Sequence, residues 1–457
     1  MKRTVVINVV GLTRRLIGTN TPHIQKFVEA GSICDISPVL PAVTCSAQST
    51  YLTGSLPQSH GVVGNGWYFK DECEVKFWRQ SNKLVSEPKI WEVLKAQNPD
   101  FTCANLFWWY NMYSSVDVSV TPRPNYLADG RKIPDIYSYP PEFRDTLQRD
   151  LGRFPLFHFW GPKADIRSSK WIAESAKKTE LTYTPTLTLV YLPHLDYNLQ
   201  RFGLDLKKIG KDLQEIDQVV GDLIAFYEHR GTQVILLSEY GITEVSRPVH
   251  LNRVLRSHGL LAIREERGLE LMDAGASEAF AVADHQIAHI YVKNRSRVLE
   301  IQELLQGVPG VDKILVGDGI AQAGLNHERS GDLIVISQAD SWFTYYYWEV
   351  DKKAPDFARM VDIHKKPGYD PVELFTNPDD LFVMPKIIGK LLKKWLGFRT
   401  LMNVIPIRPE LVKGSHGRCP EDQEDYPIFI SRNPPKHSDN PMPALAVFDE
   451  LIQKITS

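Results

Sequence analysis

The sequence predicts an α/β protein with a mostly parallel central sheet and helices on both faces. Two observations carry this reading. First, residues 4–10, 187–192 and 234–238 are nearly continuous apolar runs of strand length. Strands buried on both faces read this way, whereas strands exposed on one face alternate. Second, helical stretches separate the runs. The longest places Leu206, Ile209, Leu213, Ile216, Val220 and Leu223 at helical spacing. Such a stripe covers a sheet face.

The elements follow in order. Residues 4–10 form the first strand. Thr21-Pro22 supplies a cap and a first-turn proline for a helix that ends by Gly31, with Ile24, Phe27 and Val28 on one face. A helix is expected near residues 89–96 and a strand near 102–107. A long proline-rich section follows, with Trp108, Trp109, Tyr110 and Tyr113 near its start. It is too long for a plain connection, so it reads as a lid or substrate wall, its aromatics either stacking on a base or ring or belonging to the core. Between residues 246 and 354 the pattern mixes short helices and strands, and Trp342 to Trp348 is strongly β in character. A basic amphipathic helix near residues 386–395 reads as a solvated helix face or a membrane-surface element. The expected organisation is one domain over residues 1–457, with lid or cap insertions near 108–165 and 246–354.

Composition excludes several classes. The chain has 457 residues, 43% of them hydrophobic, with a formal net charge of -2. It is long enough for a large core, and it lacks the basic excess that would mark a nucleic-acid binder. No uninterrupted apolar run reaches bilayer length, so stable membrane insertion is not expected. Gly11-Leu12-Thr13-Arg14-Arg15 follows the first strand where a signal peptide would carry small residues. Five widely spaced cysteines without a Cys-x-x-Cys pair point to neither a disulfide framework nor a thiolate zinc site. A cytoplasmic protein is the expectation.

The chemistry centres on Pro41-Ala42-Val43-Thr44, a helix that should stop at Gly54, and His60-Gly61-Val62-Val63-Gly64-Asn65. Thr44 has N-cap chemistry, and Gly54 sits where a C′ glycine belongs. A hydroxyl at a helix start faces free N–H groups that favour an anion such as phosphate. Thr44 is therefore either a nucleophile aimed at phosphorus or a cap. Thr44, Asp196 and Glu239 all lie at or just past expected strand ends, within reach of one crevice.

This arrangement resembles the type I phosphodiesterase/nucleotide pyrophosphatase family of the alkaline phosphatase superfamily. The resemblance implies an alkaline phosphatase-like fold, with Thr44 as nucleophile and Asn65 holding a phosphoryl oxygen. It implies divalent metal ions, zinc by resemblance, with manganese or magnesium also suiting an oxygen-rich set. Position by position, the family's ligands fall on Asp196, Gln200 (a histidine there), Glu239 (an aspartate), Tyr240 (a histidine) and His416. Val10 stands where the family has an aspartate. Asp196, Glu239, His416 and Gln200 are the expected metal ligands, and Trp108 and Tyr240 the substrate contacts. His194, Asp284-His285, His289, Asp362-x-His364 and Asp370 are further places where a ligand could be recruited, and Asn8 could offer a neutral oxygen. The implied function is hydrolysis of a phosphodiester, a pyrophosphate or another small organic phosphate. The alternative is a catalytically altered member serving as a binding or accessory protein in a biosynthetic pathway.

Overall fold

The computed structural model describes residues 1–457 except 129, 381, 399, 438 and 439. The central sheet begins with β1 (Thr4–Val9), β2 (Ser32–Ser37), β3 (Cys103–Leu106), β4 (Val118–Pro122), β5 (Ile136–Tyr139), β6 (Leu187–Leu192) and β7 (Gln233–Leu237). A second, four-stranded sheet contains β8 (Ala279–Asp284), β9 (Ile287–Val292), β10 (Val311–Val316) and β11 (Leu333–Ser337). The chain then returns to the first sheet with β12 (Ile428–Ser431) and β13 (Met442–Pro443).

The central order is β13-β2-β12-β7-β1-β6-β3-β4-β5. From β7 to β4 every pairing is parallel. β12 runs antiparallel to both β7 and β2, so β2 points the same way as the parallel block. β5 closes the far edge antiparallel to β4. All side chains of β1 and β6 are buried, as their continuous apolar sequences require. The sheet is therefore parallel in its centre and mixed toward its edges.

The helices used below are α1 (Pro22–Glu29), α2 (Thr44–Thr53), α3 (Ile166–Tyr183), α4 (His194–Phe202), α5 (Leu206–His229), α6 (Val383–Trp395) and α7 (Ala446–Thr456). α3 packs on β6 and α5 on β7. In α5, Ile209, Leu213, Ile216, Val220 and Leu223 are buried as their spacing requires, whereas Leu206 is exposed at the helix start. No helix among the described residues is long and apolar enough to cross a membrane.

Two expectations change. Part of the section read as a lid supplies β4 and β5, so it completes the sheet instead of covering it. In the run from Trp342 to Trp348 only Ser341–Phe343 forms a strand. Tyr345, Tyr346, Tyr347 and Trp348 are all buried in the core beneath the second sheet. Their β propensity reflected bulk to be buried more than a ladder to be joined.

Candidate active site

Four chain segments converge beyond the carboxyl ends of the parallel strands. Val10 follows β1, α2 follows β2, Asp196 lies in the first turn of α4 after β6, and Glu239 follows β7. His416 comes back late in the chain, and its Nδ1 donates to the carbonyl of Ala42, 2.8 Å away, beside the α2 start.

Thr44 is the first residue of α2, and the N-cap is Val43. The expected cap is therefore displaced by one residue. The free N–H of Cys45 is met by Asn65 Oδ1 at 3.0 Å. The Thr44 hydroxyl lies 3.2 Å from the Tyr240 hydroxyl. Tyr240 in turn donates to Asp196 Oδ1, also at 3.2 Å. At the other end of α2, Gly54 takes the left-handed conformation, φ 65°, and its N–H reaches Thr50.

Asn65 is itself held from behind. Its backbone N–H and side-chain amide donate to the two oxygens of Asp284, at 2.7 and 3.1 Å. Burial pushes the Asp284 carboxyl up to about 7, against the lowering effect of those two hydrogen bonds.

Rings stack through the site in a column. Tyr240 lies on His416 with centroids 3.7 Å apart, His416 on His285 at 3.7 Å, and His285 on Tyr369 at 3.6 Å. Burial lowers His416 to about 3 and His285 well below its usual value, which disfavours a charge on either ring of the stack.

Tested against this geometry, the donor set does not fit the pair of cations implied by the resemblance. Asp196 Oδ1 accepts from Tyr240 and Oδ2 from Gln200 at 2.8 Å. The Gln200 oxygen, its only ligand atom, accepts from Tyr369 at 3.0 Å. Glu239 Oε2 accepts from Asn8 at 2.6 Å and Gln48 at 2.8 Å. Val10 has no donor atom. Neutral N–H and O–H groups thus occupy the carboxylates where cations would be expected. His416 Nε2, 3.9 Å from Asp196 Oδ1, and the unpartnered Glu239 Oε1 are left over, fewer than a closed metal site needs. Burial raises both Asp196 and Glu239 to about 7. Among the described residues, the cluster of three His, Cys, Asp or Glu side chains with ligand atoms within 4.8 Å is His194, Asp212 and Glu215, which does not include Thr44 or Asp196.

Three of the other sequence candidates have structural tasks. Trp108 is fully buried, its indole N–H donating to Val190 at 3.2 Å, so it is a core residue and not a substrate contact. His289 is held at both ring nitrogens by Val63 and Gly331. Asp370 pairs with Lys366 at 2.8 Å. Sequence reasoning missed Gln48 and Tyr369 as parts of the site, and named Asp284 as a place for a recruited ligand, whereas it holds Asn65. Gln48 was the findable one, since it stands one turn after Thr44 and so on the same face of α2. Asn8 had been considered for its oxygen, yet it is the amide N–H that meets Glu239.

The hydroxyl at a helix start and the buried carboxylates at the carboxyl end of the parallel sheet sit in an alkaline phosphatase-like fold. Residues 4–370 match the type I phosphodiesterase / nucleotide pyrophosphatase family, and the chain belongs to it. Human ectonucleotide pyrophosphatase / phosphodiesterase 5 shares the fold over 100% of this chain and 95% of its own, with TM-score 0.59 and 14% identity. Phosphonoacetate hydrolase from Sinorhizobium meliloti 1021 shares it over 99% of this chain and 96% of its own, with TM-score 0.62 and 13% identity for the phosphonoformate complex. An uncharacterized pyrophosphatase/phosphodiesterase of Schizosaccharomyces pombe is 24% identical over 231 residues, which is 50% of this chain. The match spans only 41% of that relative's length.

Proposed function

We propose that this chain hydrolyses a small organic phosphate, a phosphodiester or pyrophosphate, with Thr44 as the nucleophile. The observation that carries the reading is the orientation of the hydroxyl. Val43 is the N-cap and Thr44 the first helical residue, and the Thr44 hydroxyl faces Tyr240 while Asn65 meets the Cys45 N–H. In the first step Thr44 Oγ1 bonds to phosphorus and the leaving oxygen departs, taking a proton from solvent. The threonine proton passes to Tyr240, whose own proton passes to Asp196. Water then attacks the phosphorylated threonine and gives up a proton to solvent, the bond from Thr44 to phosphorus breaks, and the threonine oxygen takes back a proton from Tyr240, which recovers its own from Asp196. The groups on this path are all protein side chains. The start of α2 and the second amide N–H of Asn65 favour the anionic phosphoryl oxygens. A mouse relative of the same fold was crystallised as an inactive threonine-to-alanine form with AMP, which supports a nucleotide-like organic phosphate as substrate.

The deciding experiment incubates the protein with bis-p-nitrophenyl phosphate, traps it in acid and looks for a p-nitrophenyl-phosphoryl adduct on Thr44. Thr44→Ala is expected to abolish both labelling and turnover. Unchanged turnover by the variant would overturn the reading. A second reading, a binding protein that keeps the anion pocket without turnover, is favoured by the neutral donors on Asp196 and Glu239. Saturable AMP binding with no turnover in the wild type would select it.

A further inference from the structure

The helix α6 presents an apolar face that the rest of the chain leaves exposed. In α6 the apolar stripe Ile388, Leu391, Leu392 and Trp395 has the spacing of one helix face. In a globular helix that face is buried. Here Ile388 is 53%, Leu391 48%, Leu392 54% and Trp395 82% exposed. Of the described apolar side chains in α6, Ile387 alone is buried. Exposed Leu396, Phe398 and Leu401 extend the apolar surface past the helix end.

The charge on this segment is one-sided. Residues 383–401 contain four lysines and an arginine and no Asp or Glu. Lys386, Lys390 and Lys393 are spaced to form a row beside the apolar stripe. Lys386 pairs with Asp380 and Lys390 with Asn403, both on flanking chain, and Lys393 is exposed.

From this we infer that α6 docks the protein on an anionic phospholipid surface. An apolar stripe with a tryptophan and flanking lysines is the design of a helix lying in the plane of a bilayer interface. The stripe enters the acyl boundary, and the lysines meet the phosphate and carboxylate headgroups. A second copy of the chain is a poorer occupant, because stacking two such faces brings like-charged lysine rows together. The placement also has a consequence for access. The chain leaves the Thr44 site at Tyr369, which donates to Gln200, and returns to it at His416, so α6 lies on a loop anchored to the site at both ends.

The inference stands apart from the hydrolytic reading, and its test needs no turnover. Full-length protein is sedimented with vesicles of phosphatidylcholine containing about one-fifth phosphatidylserine, and with vesicles of phosphatidylcholine alone. The expected result is salt-sensitive binding to the anionic vesicles, at least about tenfold weaker without phosphatidylserine. Trp395→Glu should lower that binding by about tenfold or more. Trp395 is largely exposed, so the variant is expected to fold, and an unchanged near-ultraviolet circular dichroism spectrum would verify it. In a second measurement, deuterium uptake over residues 383–401 should fall when anionic vesicles are present. Absence of sedimentation, or equal binding by Trp395→Glu, would overturn the inference. So would a vesicle-free dimer that Trp395→Glu dissolves, since that outcome assigns the face to a second copy.

Discussion

The hydroxyls of Thr44 and Tyr240 lie 3.2 Å apart, with Asp196 a further 3.2 Å beyond Tyr240. Tyr240 therefore bridges the threonine and a carboxylate through a phenol.

Tyr240→Phe removes only that bridge. The ring still stacks on His416, so folding should be retained. The expected result is a fall in kcat of about a hundredfold or more with KM little changed, since proton transfer contributes on that scale. Steady-state kinetics on bis-p-nitrophenyl phosphate would measure it. A KM effect alone would instead make Tyr240 a substrate contact.

The donor chemistry predicts weak retention of zinc. Elemental analysis after dialysis against metal-free buffer should find well under one equivalent in the wild type. Gln200→His combined with Tyr240→His removes two of the donors that occupy Asp196 and adds two imidazole ligands. Zinc retention by that variant should rise measurably toward one equivalent. Equal, stoichiometric zinc in both proteins would show that the donors on Asp196 give way to a cation.

The Asp284 carboxyl gives a pH signature. Its folded value, about 7, lies above the ordinary 3.8. Between these values the folded protein holds a proton that the unfolded chain has released. Its contribution to stability is therefore greatest at low pH and is lost as pH rises through about 7. Urea unfolding of wild type and Asp284→Asn at pH 5 and pH 8 would isolate this term. The wild type should lose stability relative to the variant on going to pH 8. A constant difference would mean that Asp284 is ionised throughout.

Lys366 is buried with Asp370 at 2.8 Å and Glu373 at 2.7 Å. Lys366→Met leaves two carboxylates buried without their cation, and a loss of about 3–5 kcal/mol is expected. Chemical denaturation measures it. Tyr369, three residues on, stacks on His285, so the site should loosen as well. A loss under about 1 kcal/mol would mean that water reaches the triad.

Much of the fold was legible because it follows from local patterns. Residues 187–192 were read as a strand from their apolar run, and β6 has those bounds. Pro22 opens α1 and Gly54 ends α2, since each residue's backbone preference acts where it stands. The β4 and β5 strands were missed because they are short and lie in proline-rich sequence, β5 at the sheet edge. Trp108 read as a surface for a ligand, yet whether a ring faces core or crevice is set by what packs above it.

By itself the sequence determined the alternation that makes a parallel sheet, the start of a helix at Thr44, and the gathering of Thr44, Asp196 and Glu239 near strand ends. Tertiary structure alone decided what those groups meet. Asn65 meets the Cys45 N–H at the α2 start, Gln48 and Asn8 reach Glu239, and Tyr240 spans Thr44 and Asp196. These partners are up to 231 residues apart, so no local periodicity encodes them. Burial sets the carboxyl and imidazole proton affinities of the site, and burial is a property of the packed chain.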